Sequence, residues 1–350
     1  MTENDQMKLG VSVAYWGLGF TKDDQRAIAV EAERLGFDSL WVAEAYGSDA
    51  VSVLGWLAAA TTTIRLGTAI IQIPARPATA TAMAAATLDT LSDGRFILGL
   101  GLSGPQVSEG WYGTPYARPL QRTREYLEVV RMALARERVN YQGECVQLPL
   151  PGGKGKALKL TIGPVQQPIP IYLATLGPKN VALTGEIADG WIPTFFSPEH
   201  VESLCEPLRE GARRVGRNPS EVAVCPQVPI RVDDDIDAAR DAMRPLMALY
   251  VGGMGPKSNN FYAELAARFG FGEAAERVQD LYLSGRKDEA AAALPTELID
   301  LTCICGPEDV VRERLAAFEK SGVDTLILIP VATGGPAQVE QLRRIAAIRS

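Results

Sequence analysis

From Arg95 to Pro119 the chain reads RFILGLGLSGPQVSEGWYGTPYARP, an apolar run driving into Gly99, Gly101 and Gly104 and then a polar and aromatic loop. The glycines fit G-x-G-x-x-G, the spacing by which a turn lets a dinucleotide pyrophosphate approach the backbone. That chemistry requires a helix opening directly after the turn. Here Pro105, Gly110, Gly113 and Pro115 follow, and a helical pattern resumes only near Pro119. The segment therefore reads as a strand that ends in a site-bearing loop at the C-terminal rim of a barrel.

Composition narrows the chemistry. The 350 residues are 47% hydrophobic and 22% charged, with a net charge of −7 and no basic block, so no footprint for nucleic acid is present. No apolar run approaches the ~20 residues of a membrane span. The polar, acidic start MTENDQMKLG does not read as a signal peptide. The five cysteines (Cys145, Cys205, Cys225, Cys303 and Cys305) are scattered without zinc spacing, which suits reduced, packed thiols in a cytoplasmic protein. His200 is the single histidine, which argues against a histidine-built metal site or a Ser-His-Asp triad. No metal is expected.

The elements that must position a site alternate regularly. Short apolar strands are expected over residues 8–14, 37–43, 64–71, 96–101, 169–173, 190–193, 222–232 and 325–330, with helices between them. Thr21 caps the first helix and Gly36 ends it; later helices cover 78–91, 120–136, 178–187, 198–215 and 307–321. Near-continuous apolar strands joined by helices make a parallel sheet. Eight such units without a composition break indicate an α/β fold, one (β/α)₈ TIM barrel spanning 1–350, with insertions at about 140–168 and 235–294. The alternative is an open doubly wound sheet.

In a barrel the site gathers at the C-terminal strand ends. Those positions hold Tyr15 and Trp16; Glu44 and Tyr46; Gln72 and Arg76; Ser103, Gln106 and Glu109; Thr175 and Gly177; Phe195; Gln227; and Pro330. The set is rich in aromatic and amide groups and lacks histidine, cysteine and a carboxylate triad. Such a wall suits a large, flat cofactor that brings its own chemistry. A second turn, Thr175-Leu-Gly177-Pro178-Lys179-Asn180-Val181, opens a helix with proline at its first position. It reads either as an ordinary αβ turn or as a phosphate cradle, with backbone N–H groups and the Lys179 charge facing the anion.

Several long blocks carry a resemblance: KLGVSVAYWG from Lys8, RLGFDSLWVAEAYGSD from Arg34, IRLGTAIIQIPARPATATAMAAATLDTLSDGRFILGLGLSG from Ile64 and GPKNVALTGEIADGW from Gly177. In this order they resemble the bacterial-luciferase-like oxidoreductases. They are most similar to the branch that uses the deazaflavin coenzyme F-420, which includes actinobacterial oxidoreductases and methylene-tetrahydromethanopterin reductases. The match is close over residues 8–200 and looser at the terminal strand unit.

The resemblance implies a TIM barrel, commonly a homodimer, that holds the deazaflavin against a bulge in the third strand. A cis peptide is implied there at Ala69–Ile70. Gly101, Ser103, Gly104 and Gln106, with Thr175, Gly177, Pro178, Lys179, Asn180 and Val181, would then hold ring, ribityl chain and phosphate. Related F-420 dehydrogenases carry an acidic residue followed by a catalytic histidine after strand two; this chain has Glu44-Ala45. Proton transfer must come from another group, from solvent or from substrate, with Glu44, Glu109, Tyr15, Tyr46 and Tyr112 as candidates. Glu109 would need burial to act as an acid near neutral pH. Glu44 could equally cap the following helix or pair with Arg76, and His200 reads as a surface or capping residue. Trp16, Tyr46, Trp111 and Tyr112 are expected to line the substrate pocket, the tryptophans serving equally well as packing.

The expected activity is hydride transfer between reduced F-420 and an activated C=C, C=N or C=O bond of a small molecule or natural product. The same fold in an FMN-dependent monooxygenase is the first alternative, and a non-catalytic deazaflavin- or flavin-binding protein the second.

Overall fold

The computed structural model describes residues 6–13, 19–255, 257 and 260–349, so Tyr15 and Trp16 lie outside the described residues. Its strands are β1 (Lys8–Val13), β2 (Ser39–Val42), β3 (Arg65–Thr68), β4 (Ile71–Gln72), β5 (Phe96–Gly101), β6 (Tyr141–Gln142), β7 (Gln147–Leu148), β8 (Ile171–Leu173), β9 (Gly190–Trp191), β10 (Ala223–Val224), β11 (Gln227–Val232), β12 (Ile304–Gly306) and β13 (Thr325–Pro330). The α-helices are α1 (Lys22–Arg34), α2 (Ala50–Ala58), α3 (Ala78–Leu91), α4 (Pro105–Ser108), α5 (Pro119–Leu134), α6 (Pro178–Ile187), α7 (Val201–Arg214), α8 (Ile236–Ala248), α9 (Phe261–Ala266), α10 (Gly272–Leu283), α11 (Lys287–Ala292), α12 (Thr296–Thr302), α13 (Glu308–Lys320) and α14 (Gly335–Arg349).

The large sheet runs β10-β9-β8-β5-β3-β2-β1-β13-β11-β12, with β4 also on β5. Closure comes from β10 and β11, which are one stretch broken at Cys225–Pro226. Its first half pairs with β9 and its second with β13, and Thr194 bridges to Gln227. The expected continuous seventh strand is thus two short ones, because Pro226 has no N–H to give the ladder. The eight barrel positions are β1, β2, β3 with β4, β5, β8, β9, β10 with β11, and β13. The small antiparallel hairpin β6–β7 sits in the first insertion.

Two features were not legible in advance. The helical insertion runs past residue 294 to Thr302, and β12 then pairs with β11 on the outer edge of the sheet. After β5, Gly104 caps a single turn, α4, with Ser108 N–H donating to Gly104 O and Glu109 N–H to Pro105 O. This corrects the expectation that no helix follows the glycines. Pro105 at the first helical position starts the turn, and four residues are too few to show a helical period.

Inside, Trp41, Ala69, Ile97, Tyr172, Ile192, Cys225 and Ile327 form a separate cluster that fills the barrel. Trp41 and Tyr172 stack with ring centroids 6.0 Å apart. Glycines make room for them: a Cβ on Gly67 would lie 2.3 Å from the Trp41 ring, and one on Gly190 2.6 Å from Tyr172. Outward-facing residues such as Leu40, Leu66, Leu98, Leu100 and Leu173 join the main core with Ile28, Leu54 and Leu127 from the helix layer. All five cysteines are free, and four are buried. Burial pushes the Cys205 thiol up to about 11 and the Cys225 thiol up to about 12, consistent with inert, packed groups.

Caps set the register of the helices that support the rim. Thr21 and Asp24 form the reciprocal capping box that starts α1. Near the end of α1, Glu33 accepts N–H bonds from Thr62, Thr63 and Ile64 at 2.7, 2.6 and 3.0 Å, which fixes the entry to β3. Burial opposes its charge, but the Ile64, Thr63 and Thr62 N–H groups outweigh it and bring the carboxyl from 4.5 to about 2. A lowered folded-state pKa contributes stability that is complete above pH 4.5 and is lost as pH falls through about 2. Urea midpoints taken along a pH series should therefore fall less steeply in acid for Glu33→Gln than for the unaltered protein. Parallel acid limbs would contradict the assignment.

Candidate active site

The rim is tied together by one ion cluster built on the buried Glu44. Glu44, only 7% exposed, follows β2 and accepts from Ala50 N–H at 3.0 Å at the start of α2. Both its oxygens also meet the Arg76 guanidinium, which bonds Asp49 as well. Glu44 thus caps the α2 approach and pairs with Arg76, the two structural roles open to it from sequence. Burial disfavours charge on Asp49, yet hydrogen bonds from Ser52 and the Arg76 charge outweigh this and hold its carboxyl low. Burial likewise opposes the Arg76 charge, and the Glu44 bonds with the nearby carboxylates outweigh that, raising it.

The third strand breaks between β3 and β4, where the Ala69–Ile70 peptide is cis. Ala69 N–H still donates to Val42 O at 2.8 Å, and Glu44 N–H donates to Ile70 O at 3.2 Å, so the bulge stays stitched to the end of β2. Next to it, Gly99 and Gly101 of β5 are buried, and their missing side chains let the bulged third strand pack against β5. A Cβ on Gly99 would lie 1.8 Å from Thr68 O, and one on Gly101 2.6 Å from Ile70 Cδ1. Thr68 Oγ1 donates to Gly99 O at 2.7 Å and accepts from Gly99 N–H at 2.8 Å, locking the two strands.

Beyond β5, Ser103 adopts a left-handed backbone (φ 60°), and Gly104 is extended. The loop is pinned to its neighbours: Tyr112 Oη donates to Ala45 O and Thr114 Oγ1 to Pro74 O, both at 3.3 Å. Burial, with Glu44 and Asp49 nearby, raises the Tyr112 hydroxyl above its usual range, against the Arg76 charge. Tyr46 and Trp111, 64% and 65% exposed, face each other with centroids 6.5 Å apart. Glu109 is exposed and accepts from Tyr116 N–H at 2.9 Å. The burial that Glu109 would need to act as an acid near neutral pH is not met by this loop.

After β8 the turn Thr175–Val181 opens α6 as expected, with Gly177 at the cap and no side chain capping its first turn. Thr175 is held by its hydroxyl against Thr184 Oγ1 (2.9 Å) and by its carbonyl, which accepts from Trp191 Nε1. Asn180 Oδ1 is buried without a partner. Lys179 is exposed and Val181 packs into the core. Beside this turn lies a cleft of about 280 Å³ lined by Leu176, Gly177 and Pro178 with Phe261, Glu264 and Arg268 from the insertion.

The insertion contributes an aromatic knot that was not anticipated. Phe195, after β9, meets Tyr250 and Tyr262 with centroids 5.8 and 5.4 Å away. Phe195 takes a left-handed backbone (φ 54°), a placement that residue type does not advertise. Of the two roles read for His200, surface or capping, it occupies the N-cap position of α7 without a capping bond from its side chain, and its ring lies tilted over Phe269 with centroids 4.4 Å apart. Among the described residues no three His, Cys, Asp or Glu side chains are grouped to hold a metal, and no helix is long and apolar enough to cross a membrane.

The structure therefore brings Glu44, Tyr46, the Ala69–Ile70 bulge, Gly101, the Ser103–Tyr112 loop and the α6 turn to one end of the barrel. Comparison with known proteins identifies relatives of the same fold. The chain is 46% identical to a Mycobacterium tuberculosis protein provisionally named a coenzyme F-420-dependent oxidoreductase, over 98% of this chain and 99% of that one. It is 30% identical to a 5,10-methylenetetrahydromethanopterin reductase of Methanolobus tindarius, covering 85% and 86% of the two. The solved F-420-dependent tetrahydromethanopterin reductase of Methanopyrus kandleri superposes with a TM-score of 0.83 at 25% identity, over 97% of each chain. Residues 3–325 match the luciferase-like monooxygenase family, and the chain belongs to that family.

Proposed function

We propose that this protein is a coenzyme F-420-dependent reductase that moves hydride from the reduced deazaflavin to an activated C=C, C=N or C=O bond of a small-molecule substrate. The observation that carries the reading is the exposed backbone at three adjacent strand ends: the Ala69–Ile70 bulge after β3, the Ser103–Gly104 turn after β5, where an added Cβ at Gly104 would meet nothing nearer than 3.5 Å, and the α6 turn after β8, which no side chain caps. A flat ring fits against such a surface, and a phosphate suits the α6 turn, where the first-turn N–H groups have no side-chain cap and the exposed Lys179 adds positive charge. The fit is supported by the names of the Mycobacterium relative and of the Methanopyrus kandleri reductase, both of which state F-420 dependence.

Bound there, reduced F-420 would supply one hydride, that is two electrons with a proton, from its ring. The chain's own contribution is to bind, orient and exclude water. Ala69, Ile70, Gly101, Ser103, Gly104 and Gln106 hold the ring edge and ribityl chain, and Thr175 to Val181 hold the phosphate. Tyr46, Trp111 and Tyr112 form the apolar side of the substrate pocket. The Glu44–Arg76–Asp49 cluster keeps the loops after β2, β4 and β5 in register. With both Glu44 oxygens engaged, its role is to hold the rim.

We read the chain as one barrel unit acting in the cytoplasm as a homodimer. Exposed Met83 and Leu91 on α3, eight residues apart on one helix face, are the apolar surface that a second copy would cover. The family's name keeps an FMN-dependent monooxygenase as the second reading. The test is titration of the purified protein with F-420 and with FMN, followed by mixing with reduced F-420 and a panel of enones, imines and ketones. Return of the oxidised deazaflavin absorbance with substrate reduced is the expected result.

A further inference from the structure

Gln72 ends β4 and is 3% exposed, yet its Oε1 has no hydrogen-bond partner, and no bond to its Nε2 is made by any described residue. A buried carboxamide without partners is rare in folded proteins and requires a reason. Its direction supplies one. Ile71 packs outward into the main core, so the next residue on the strand faces the barrel interior. Its register partner is Gly101, whose missing Cβ would meet Ile70 Cδ1 at 2.6 Å and Ala174 O at 3.5 Å. Gln72 therefore stands at the mouth, beside the bulge and the end of β5.

We infer that Gln72 reads the imide edge of the cofactor ring. A carboxamide offers an NH₂ with two donors and a C=O acceptor side by side. The pyrimidinedione of flavins and deazaflavins offers the complement, a ring N–H flanked by carbonyls. A half-turn about the last side-chain torsion sets the carboxamide oxygen towards the ring N–H, and that torsion is soft. In the empty protein the group pairs with nothing, so it is kept for the ligand and weakens the apoprotein. The inference rests on the cofactor reading above but is indifferent to whether the ring is a deazaflavin or a flavin.

The test uses Gln72→Met, nearly isosteric, with Gln72→Leu as a second variant. Apoprotein melting temperature is read first, then affinity for F-420, for FMN and for their 3-methyl analogues, in which the ring N–H is blocked. The expected variants melt at or above the unaltered protein and bind the preferred cofactor about tenfold more weakly, the loss of one or two neutral hydrogen bonds. In the unaltered protein 3-methylation should cost a similar factor, and in the variants it should cost nothing further. Unchanged affinity, or an equal 3-methyl penalty in both proteins, would overturn the role of Gln72 while leaving the cofactor reading intact. Failure of the unaltered protein to bind any of these ring systems would overturn both.

Discussion

Gly104→Val should leave the protein folded and remove its cofactor binding. Gly104 has an ordinary extended backbone (φ −114°, ψ 172°), which a β-branched residue adopts without strain. An added Cβ would meet only Gln106 Oε1, at 3.5 Å, which is normal contact. The cost to folding is that of a poorer cap on one short turn, below about 1 kcal/mol. The added methyl groups instead occupy the approach to the Gly101–Gly104 backbone. Affinity for F-420 should fall on the order of 100-fold, equivalent to about 2.7 kcal/mol. Fluorescence titration beside a thermal melt reads both quantities, and an unchanged affinity would refute the loop's assigned role. Gly99 makes the contrast: a Cβ there collides with Thr68 O at 1.8 Å, so the same substitution would strike the fold itself.

Arg76→Leu should be the most destabilising change at the rim. It leaves the Glu44 carboxylate buried, with the Ala50 N–H as its remaining bond, and releases Asp49 from the same guanidinium. Breaking a buried pair by removing one partner costs about 3 kcal/mol or more, because the other charge stays behind without compensation. Removing both, as in Glu44→Leu with Arg76→Leu, should recover much of that loss. Urea denaturation of the two single variants and the double variant measures this. A loss below about 0.5 kcal/mol in Arg76→Leu would place the pair among surface bridges of little consequence.

The barrel was legible because strand-helix alternation is a repeated, local signal. Ala78–Leu91, Phe96–Gly101 and Thr325–Pro330 were each read with the limits that the structure shows. Where elements were short or interrupted, the signal failed. Pro226 splits a strand that apolar patterning had joined, β12 is a three-residue edge strand, and α4 is a single turn. The site was legible in kind more than in partnership. Position along the chain placed Glu44, Gln72 and Arg76 at strand ends, and the bond between Glu44 and Arg76 was one of two options. Their joint closure with Asp49 depends on loops meeting across the rim, as do the Phe195–Tyr250–Tyr262 contacts. Whether Glu109 meets the burial that acid action would need was left open by the sequence, because exposure depends on how the loop after β5 folds back on Tyr116. The cis bond at Ala69–Ile70 came only through the resemblance; nothing in LGTAI itself announces it.

Cofactor identity is the measurement that bears most directly on the whole account. The purified protein is titrated separately with F-420 and FMN, and oxygen uptake with NAD(P)H is followed in parallel with oxidation of reduced F-420 by an enone or imine. The account predicts tighter binding of F-420, transfer of its hydride to the substrate and no oxygen consumption. A yellow protein that prefers FMN and consumes oxygen with NAD(P)H would contradict it.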